Sequence, residues 1–265
     1  MNKIALIFSK TREDTVGAYI ERAFLELGLS FDHYCSTQMA QIPQGYHLYF
    51  RVADGYEERK LPFILKPSAY WISDVHLDSS CRHLKSQLRN YELIFSCLPM
   101  GLEKFKKEVK RIYYINFGCD PKIDQKLDLQ KKYDIGFVGT DGGVPRKFIL
   151  QELRERYPNS FIGLAPYAQI AEIYSQSKLG FNYPIRLEGM TMRSFEIPAC
   201  GTIELMPRLP NQWMAQTGFY HKKNIIIYED LHDLIRLIDY YLVHDAEREK
   251  IAQEGYEHVL KYHTY

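Results

Sequence analysis

The sequence predicts an α/β protein built from two doubly wound, Rossmann-like domains with a cleft between them. Three observations lead to this prediction. The 265 residues are long for one α/β unit and suffice for two domains of ordinary size. Short apolar runs alternate with amphipathic stretches along the chain, which is typical of mostly parallel sheets. A polar stretch without apolar periodicity, residues 122–132, separates two such series.

The first series begins with a βα unit. Residues 3–9 read as a strand and residues 15–27 as an amphipathic helix, which ends at a glycine, Gly28. Further apolar runs predict strands at residues 47–52, 69–73, 91–96 and 112–115, with a helical stretch at residues 102–109. We therefore expect a first domain over residues 1–127.

The second series begins with a strand at residues 133–138, a glycine-rich loop at 139–143 and a helix at 146–156. The remaining predicted elements are strands 160–163, 179–183, 202–205 and 224–228, and helices 168–176, 191–199, 231–243 and 246–262. This series predicts a second domain over residues 128–265. Ligands of doubly wound sheets bind beyond the carboxyl ends of the strands, so we expect the site there, between the domains.

Composition excludes several classes of protein. A formal net charge of +1 argues against a nucleic acid as the main partner, because such proteins carry a strongly basic surface. Five widely spaced cysteines without a C-x-x-C pair predict neither a disulfide framework nor a zinc site, and they favour the cytoplasm. The apolar stretch at residues 4–8 is too short for a signal peptide or a transmembrane segment.

The most informative segment is residues 188–202. Glu188 and Glu196 lie eight positions apart, the first in a predicted loop after a strand and the second inside the following helix. The loop and the start of that helix would point into the ligand crevice, where backbone N–H groups favour phosphate. Glu196 can offer both carboxylate oxygens to a diol such as a ribose. The alternative is a solvated glutamate, which is the rule for charged helix residues.

The spacing of Glu188 and Glu196, followed by Ala-Cys-Gly-Thr at residues 199–202, resembles the E-x7-E region of retaining GT-B glycosyltransferases. Residues 177–182 and 192–201 look closest to the CgeB-like, spore-maturation branch of the group 1 glycosyl transferases. Residues 117–121, 134–140 and the tail 255–265 also match that branch. The resemblance covers most of the second half and the first half only loosely. The family tail usually continues into a further helix, which leaves open that the chain is trimmed.

The resemblance implies a GT-B fold and transfer of a sugar from a nucleotide sugar, by family frequency a UDP-sugar, with retention of anomeric configuration. It implies no metal and no cofactor beyond this co-substrate. Glu196 would hold the ribose hydroxyls, and Glu188 would lie near the donor sugar as a catalytic residue. Gly139 and Thr140 would approach the diphosphate through their backbone N–H groups.

The cation that meets the diphosphate stays open at this point. Arg146 or Arg193 would neutralise the charge that grows on the leaving nucleotide diphosphate. Position 140 holds threonine where many retaining members carry arginine, so Arg146, Lys147 and Arg193 compete for this role. Tyr167 follows a predicted strand and would stack on the base, although core packing is the alternative for an aromatic residue.

The first half offers two weaker candidates. Asp74 and His76 follow a predicted strand and would bind the donor sugar or the acceptor, with His76 suited to proton transfer. The alternative is a turn whose aspartates cap a helix that begins near Ser79. Gly17 and Thr15, at the start of the first helix, would approach the diphosphate, although a helix cap explains Thr15 equally well.

Three functions are compatible with these residues. The first is glycosyl transfer to a glycan, protein or small molecule that the sequence does not identify. The second is a sugar-nucleotide epimerase of the same fold, which would act on the donor without an acceptor. The third is a non-catalytic protein that binds a nucleotide sugar or regulates a partner. The sequence predicts no oligomeric state.

Overall fold

The computed structural model describes residues 3–54, 59–75, 77–184, 187, 189–210 and 214–265. Contacts divide the chain into two compact units, one of residues 1–116 with the C-terminal Tyr265 and the other of residues 117–264. Among the described residues, the first unit contains a six-stranded sheet and the second a five-stranded sheet. Neighbouring strands run parallel in both sheets, which confirms the predicted fold class.

The first sheet has the strand order β2-β1-β3-β4-β5-β6. Its strands are β1 (Lys3–Ile7), β2 (Ser30–Tyr34), β3 (Leu48–Val52), β4 (Ser68–Ile72), β5 (Leu93–Ser96) and β6 (Ile112–Tyr114). The helices of this unit are α1 (Val16–Glu26), α2 (Asp78–Gln87) and α3 (Met100–Phe105), with 3-10 helices at Ser36–Gln41 and Leu88–Asn90. Because β1 lies between β2 and β3, the order of strands reverses there, and ligands of such sheets bind at this point.

The ends of α1 lie where the sequence predicts them. The hydroxyl of Thr15 accepts a hydrogen bond from the backbone N–H of Ala18 at 3.3 Å, so Thr15 is a helix cap. Gly28 follows the helix with a φ of +64°, a left-handed conformation that glycine adopts without strain.

One strand of the first unit was not predicted. The residues of β2 are Ser-Phe-Asp-His-Tyr, and all five are partly exposed. The strand lies at the edge of the sheet and pairs with β1 alone, so it needs no continuous apolar run. Its sequence therefore carries little of the signal on which strand prediction depends.

The second sheet has the strand order β11-β10-β9-β7-β8. Its strands are β7 (Tyr133–Val138), β8 (Phe161–Gly163), β9 (Ser177–Phe181), β10 (Ile203–Pro207) and β11 (Ile226–Tyr228). The described helices are α4 (Arg146–Arg156), α5 (Ile170–Ser175), α6 (Arg193–Ala199), α7 (Leu231–Val243) and α8 (Asp245–Tyr262), with a 3-10 helix at Tyr167–Gln169.

Both faces of the second sheet are covered by helices. Leu205 of β10 packs in a cluster with Leu150 of α4 and Leu234 of α7. Met206, the next residue, packs in a second cluster with Phe195 of α6 and Val259 of α8. Side chains alternate along a strand, so even-numbered residues of β10 face α6 and α8.

The polar stretch 122–132 does not separate the two compact units. The sequence prediction placed the domain boundary between residues 127 and 128, whereas the second unit begins at residue 117. The N–H of Leu127 donates to Ser175 Oγ at 3.1 Å, and Lys131 Nζ donates to the carbonyl of Ser177 at 2.8 Å. These bonds attach the stretch to α5 and β9 of the second unit.

Three further features bear on the predictions from composition. All five cysteines are free thiols. In the described part of the chain, no group of three or more His, Cys, Asp and Glu side chains is placed to hold a metal ion. Among these same residues, no helix combines the length and apolar character needed to cross a bilayer.

Candidate functional site

The loop after β7 turns sharply beside an arginine. Gly142 has a φ of +65°, and a Cβ atom at this position would collide with the guanidinium of Arg146. A Cβ atom at Gly139 would lie 3.6 Å from Nη2 of Arg193. Gly142 therefore allows the side chain of Arg146 to lie close to the backbone, whereas a Cβ atom at Gly139 would make an ordinary contact with Arg193.

Arg146 is the first residue of α4, and its side chain is 3% exposed. Its Nε donates to the carbonyl of Asp141 at 3.3 Å, and its Nη2 donates to Thr140 Oγ1 at 3.3 Å. Its Nη1 donates to the carbonyl of Tyr183, just past the end of β9, at 3.2 Å. Arg146 thus holds the loop after β7 against the end of the neighbouring strand.

Arg193 is the first residue of α6 and is partly buried. Its guanidinium carbon lies 5.0 Å from the centre of the Phe137 ring, and that of Arg146 lies 5.9 Å from the same centre. The Nε of Arg193 is fully buried and has no hydrogen-bond partner among the described residues. Arg146 is therefore hydrogen-bonded to the loop, whereas the buried Nε donor of Arg193 has no partner among the described residues.

The two guanidinium groups raise the local positive charge. Burial, followed by the nearby charge of Arg193, lowers the pKa of Arg146 to about 10, so the group remains charged at neutral pH. The carboxylate of Asp141 acts in the opposite direction, but it pairs with Arg154 at 2.8 Å. An anion bound between Arg146 and Arg193 would relieve their repulsion.

A buried polar network fixes the start of α6. Asn182, just past the end of β9, is 0% exposed, and its Nδ2 donates to Ser194 Oγ at 2.9 Å. The same amide nitrogen donates to Glu204 Oε1 at 2.8 Å. These bonds connect β9 and β10 to the first turn of α6, which carries Arg193.

Glu204 is a member of the site that sequence reasoning missed. It is 2% exposed, and burial raises its pKa to about 7, although Asn182, Ser194 and Arg193 all favour the ionised form. Its Oε2 has no hydrogen-bond partner among the described residues. The only sequence signal is a charged residue within the otherwise apolar run of β10.

Glu196 lies inside α6 as predicted and is 7% exposed. Burial, then the carboxylates of Asp124 and Glu196, raise the pKa of the Cys200 thiol well above its usual value, which places Glu196 near this buried cysteine. The contact of Glu196 with a ribose stays a prediction.

Three other candidates of the second unit are Tyr167, Lys147 and Glu188. Tyr167 begins the 3-10 helix after β8 and is partly buried. Of the three competing cations, Arg146 and Arg193 lie beside Phe137, whereas Lys147 is exposed. Glu188 lies outside the described residues.

In the first unit, Asp74 follows β4, is exposed and has a φ of +54°. It lines a small cavity of about 30 Å³ together with Ser73 and His83. His76 lies outside the described residues. A Cβ atom at Gly17 would collide with the ring of Phe8, so close packing explains this glycine, and its contact with a diphosphate stays a prediction.

A cavity of about 700 Å³ lies elsewhere in the second unit, along α8. Its lining includes His258 and His263, whose Nε2 atoms both lie 2.8 Å from the carbonyl oxygen of Thr217. None of the predicted site residues lines it. We place the candidate site at the arginine pair, because two positive charges and the buried Nε donor of Arg193 lie there, at the carboxyl ends of the strands.

Comparison with known families identifies one match. The family described as "Glycosyl transferase-like" matches residues 125–265, which is more than half of the chain. This match includes the loop after β7, α4, α6 and β10. No curated protein matches the sequence.

Solved structures match over nearly the whole chain. Sucrose-phosphate synthase from Thermosynechococcus elongatus is 13% identical with a TM-score of 0.67, and the match covers 100% of this chain and 95% of that one. Anabaena Alr3699/HepE in complex with UDP and glucose is 9% identical with a TM-score of 0.69, covering 99% and 96%. T4 phage BGT in complex with UDP and Mn²⁺ is 14% identical with a TM-score of 0.60, covering 98% and 95%.

At these identities the structural matches establish the fold alone, and the family match establishes membership. Two parallel Rossmann-like sheets are what the matched glycosyltransferase structures share with this chain. The chain belongs to the glycosyl transferase-like family and has the GT-B fold of the matched structures.

Proposed function

We propose that the chain transfers a sugar from a UDP-sugar to an acceptor and that Arg193 contacts the diphosphate of this donor. One observation carries the proposal. The guanidinium of Arg193 lies over Phe137 beside Gly139 and near a second arginine, and its buried Nε has no hydrogen-bond partner among the described residues. A guanidinium binds phosphate oxygens in a planar, two-pronged geometry, which makes a diphosphate a fitting ligand.

The same arginine suits the chemistry of transfer. When the bond between the sugar and the diphosphate breaks, negative charge grows on the leaving phosphate oxygen. A fixed positive charge in a partly buried place stabilises this state more than it would in water. Asn182 and Ser194 hold the first turn of α6, so the position of Arg193 is set before the donor binds.

Arg146 supports the loop and adds to the positive charge of the site. The family resemblance leads one to expect an arginine at position 140, where this chain has threonine. The hydroxyl of Thr140 accepts a hydrogen bond from Arg146, so a guanidinium lies next to this position from another part of the chain. We therefore assign diphosphate contact to Arg193 and loop support to Arg146, which is almost wholly buried.

The choice of uridine rests on the family resemblance and on the fold. Two of the three structures named above hold UDP, and one of these holds glucose as well. The T4 phage structure also holds Mn²⁺. For this chain we propose transfer without a metal ion, because the arginine pair supplies the positive charge that a metal would supply next to a diphosphate.

Retention of anomeric configuration is the finer part of the proposal. It rests on the spacing of Glu188 and Glu196, which resembles the E-x7-E region of retaining members. The assignment to the CgeB-like branch rests on residues 193–201 and stays a prediction. Proton NMR of the first product formed from UDP-glucose distinguishes an α-linked from a β-linked sugar, and a β-linkage would contradict retention.

The test begins with UDP, GDP, ADP, CMP and dTDP in the presence of a chelator, followed by thermal unfolding of the protein. A ligand at about a hundred times its Kd stabilises the folded state by about 2.7 kcal/mol, which gives a clear shift. We expect UDP to give the largest shift. A larger shift with another nucleotide would contradict the choice of uridine, and no shift with any of them would contradict the donor site.

Turnover then separates the three functions. Incubation of UDP-glucose with acceptor mixtures should release UDP and form a glycosylated product. Conversion of the sugar nucleotide without release of UDP would identify an epimerase. Binding without either reaction across the acceptors would support the non-catalytic alternative.

A further inference from the structure

Glu204 is a buried carboxyl group whose hydrogen bonding is incomplete. It is the second residue of β10, on the side of the sheet that faces α6, and it is 2% exposed. Its Oε1 accepts a hydrogen bond from Asn182 Nδ2 at 2.8 Å, while its Oε2 has no partner within the described residues. A buried carboxylate of this kind is costly unless a positive charge lies nearby.

Arg193 is the positive charge that acts on Glu204. Its guanidinium favours the ionised form of the carboxyl group, against the effect of burial. The other titratable groups on this side of the sheet are Glu196 on α6, Cys200 at the end of α6, Tyr174 on α5, Cys119, His258 on α8 and His263 just past α8. Tyr228 on β11 packs on the opposite face, but its hydroxyl donates to the carbonyl of Asn182 at 3.1 Å. Burial leaves the phenol of Tyr228 and, at neutral pH, both histidines uncharged, because it raises the pKa of the first and lowers the pKa of the others.

The protonation state of Glu204 therefore depends on whether an anion is bound to Arg193. Without a ligand, Arg193 partly compensates an ionised Glu204. When an anion binds Arg193, this compensation is lost and a second negative charge lies near the carboxylate. The neutral form of Glu204 then becomes the favoured one.

We propose that Glu204 is a positioning residue that takes up a proton from solvent when the donor diphosphate binds Arg193 and releases it when the nucleotide leaves. This inference rests on the proposed function of Arg193. The step forms an O–H bond on the Glu204 carboxylate and breaks none in the donor. It leaves Arg193 free of a competing negative charge, so the guanidinium can face the diphosphate.

The effect of pH has a definite sign. Proton uptake on binding means that affinity for the diphosphate rises as pH falls. Burial raises the pKa of Glu204 to about 7 in the free protein, so the change is expected around and above neutral pH. Glu204→Gln mimics the neutral form and keeps an oxygen that can accept from Asn182.

Isothermal titration of UDP into the protein at pH 7.5, in buffers of different ionisation enthalpy, measures the protons taken up. We expect wild type to take up more protons per UDP than Glu204→Gln. From pH 6.5 to 8.5, the Kd of wild type should rise about threefold or more beyond the rise seen for the variant. The titration of UDP itself is the same in both proteins, so the difference between them belongs to Glu204.

Equal proton uptake and equal pH profiles in the two proteins would overturn the inference while leaving UDP binding intact. No UDP binding to wild type at any pH would instead overturn the proposed function and the inference with it. A second measurement needs no variant. In ¹³C-glutamate-labelled wild type, UDP should raise the midpoint of the carboxyl signal that titrates near neutral pH, and an unchanged midpoint would overturn the inference.

Discussion

The two sheets present opposite chemistry at the carboxyl ends of their strands. In the first unit, Asp54 follows β3, and its Oδ2 accepts hydrogen bonds from the N–H of Ser9, after β1, and from the hydroxyl of Ser36, after β2. In the second unit, Arg146 and Arg193 lie at the corresponding edge. The edge of the first sheet therefore carries a carboxylate that accepts hydrogen bonds from two serines. The edge of the second sheet carries a pair of guanidinium groups.

The cations of the first edge differ from Arg193 in their pairing. Lys10 forms an ion pair with Glu21 at 2.6 Å, and Arg12 forms one with Asp14 at 3.0 Å. The buried Nε of Arg193 has no hydrogen-bond partner among the described residues. In each unit the fold supplies a sheet edge where ligands can bind, at the carboxyl ends of the strands. The side chains at that edge determine whether it suits a diphosphate.

The largest expected effect concerns Glu204, which is buried beside the arginine pair of the second unit. The pKa of Glu204 is raised to about 7 in the folded protein, against 4.5 for an ordinary glutamate. Such a group contributes stability that is complete below pH 4.5 and is lost as pH rises through about 7. Glu204→Gln removes this loss, so its free energy of unfolding, relative to wild type, should rise by about 3 kcal/mol between pH 4 and pH 8.

Urea unfolding of both proteins at the two pH values measures this difference. Glu92→Gln, at an exposed glutamate of the first unit, provides the control for loss of a carboxylate. A difference between Glu204→Gln and wild type that does not vary with pH would contradict the buried, neutral state of Glu204.

The second prediction sharpens the role of the loop after β7. Gly142 and Gly143 both have a positive φ, +65° and +88°, so alanine at either position costs about 1 to 2 kcal/mol in backbone strain. A Cβ atom at Gly142 also collides with Arg146, whereas one at Gly143 meets open space. Gly142→Ala should therefore destabilise the protein by a further ~1 to 3 kcal/mol and weaken UDP binding.

Chemical unfolding and UDP titration of Gly142→Ala and Gly143→Ala form a matched pair. Equal loss of stability in both variants would mean that Arg146 moves aside at no cost. That result would contradict the view that its three hydrogen bonds fix the loop.

The smallest expected effect is on the Kd for UDP when Asp54, at the edge of the first sheet, is substituted. Asp54→Asn keeps an oxygen that can accept from Ser9 and Ser36 and removes the negative charge. Because the diphosphate is assigned to the second unit, the Kd for UDP should change by less than about twofold, a difference below 0.5 kcal/mol. A tenfold change would place the nucleotide at the first edge and break the comparison.

The sequence predicted most of the second unit because its signals are local. The helix that became α4 and the strand that became β7 have the predicted bounds, and the glycine-rich loop between them lies beside both arginines. The helix that became α6 contains Arg193 and Glu196 as expected, although it begins at residue 193 rather than 191. Apolar periodicity and glycine positions are sufficient for such elements.

The buried network of the site could not be predicted in this way. Asn182 and Glu204 are polar residues at or near strand ends, and a single sequence does not reveal whether such residues face solvent. Their meeting depends on the pairing of β9 with β10 and on the position of α6 above them. The partners of Arg146 were missed for the same reason, since the carbonyl of Tyr183 lies far away along the chain.

The central claim is that Arg193 is the residue that contacts the donor diphosphate, and titration of UDP into Arg193→Gln tests it most directly. Hydrogen bonds to charged groups contribute about 1.5 to 3 kcal/mol, so we expect the Kd to rise about tenfold to a hundredfold. Arg154→Gln removes an exposed arginine of α4 that pairs with Asp141 on the loop after β7. This variant should leave the Kd nearly unchanged. An unchanged Kd in Arg193→Gln, with the fold intact, would contradict the account.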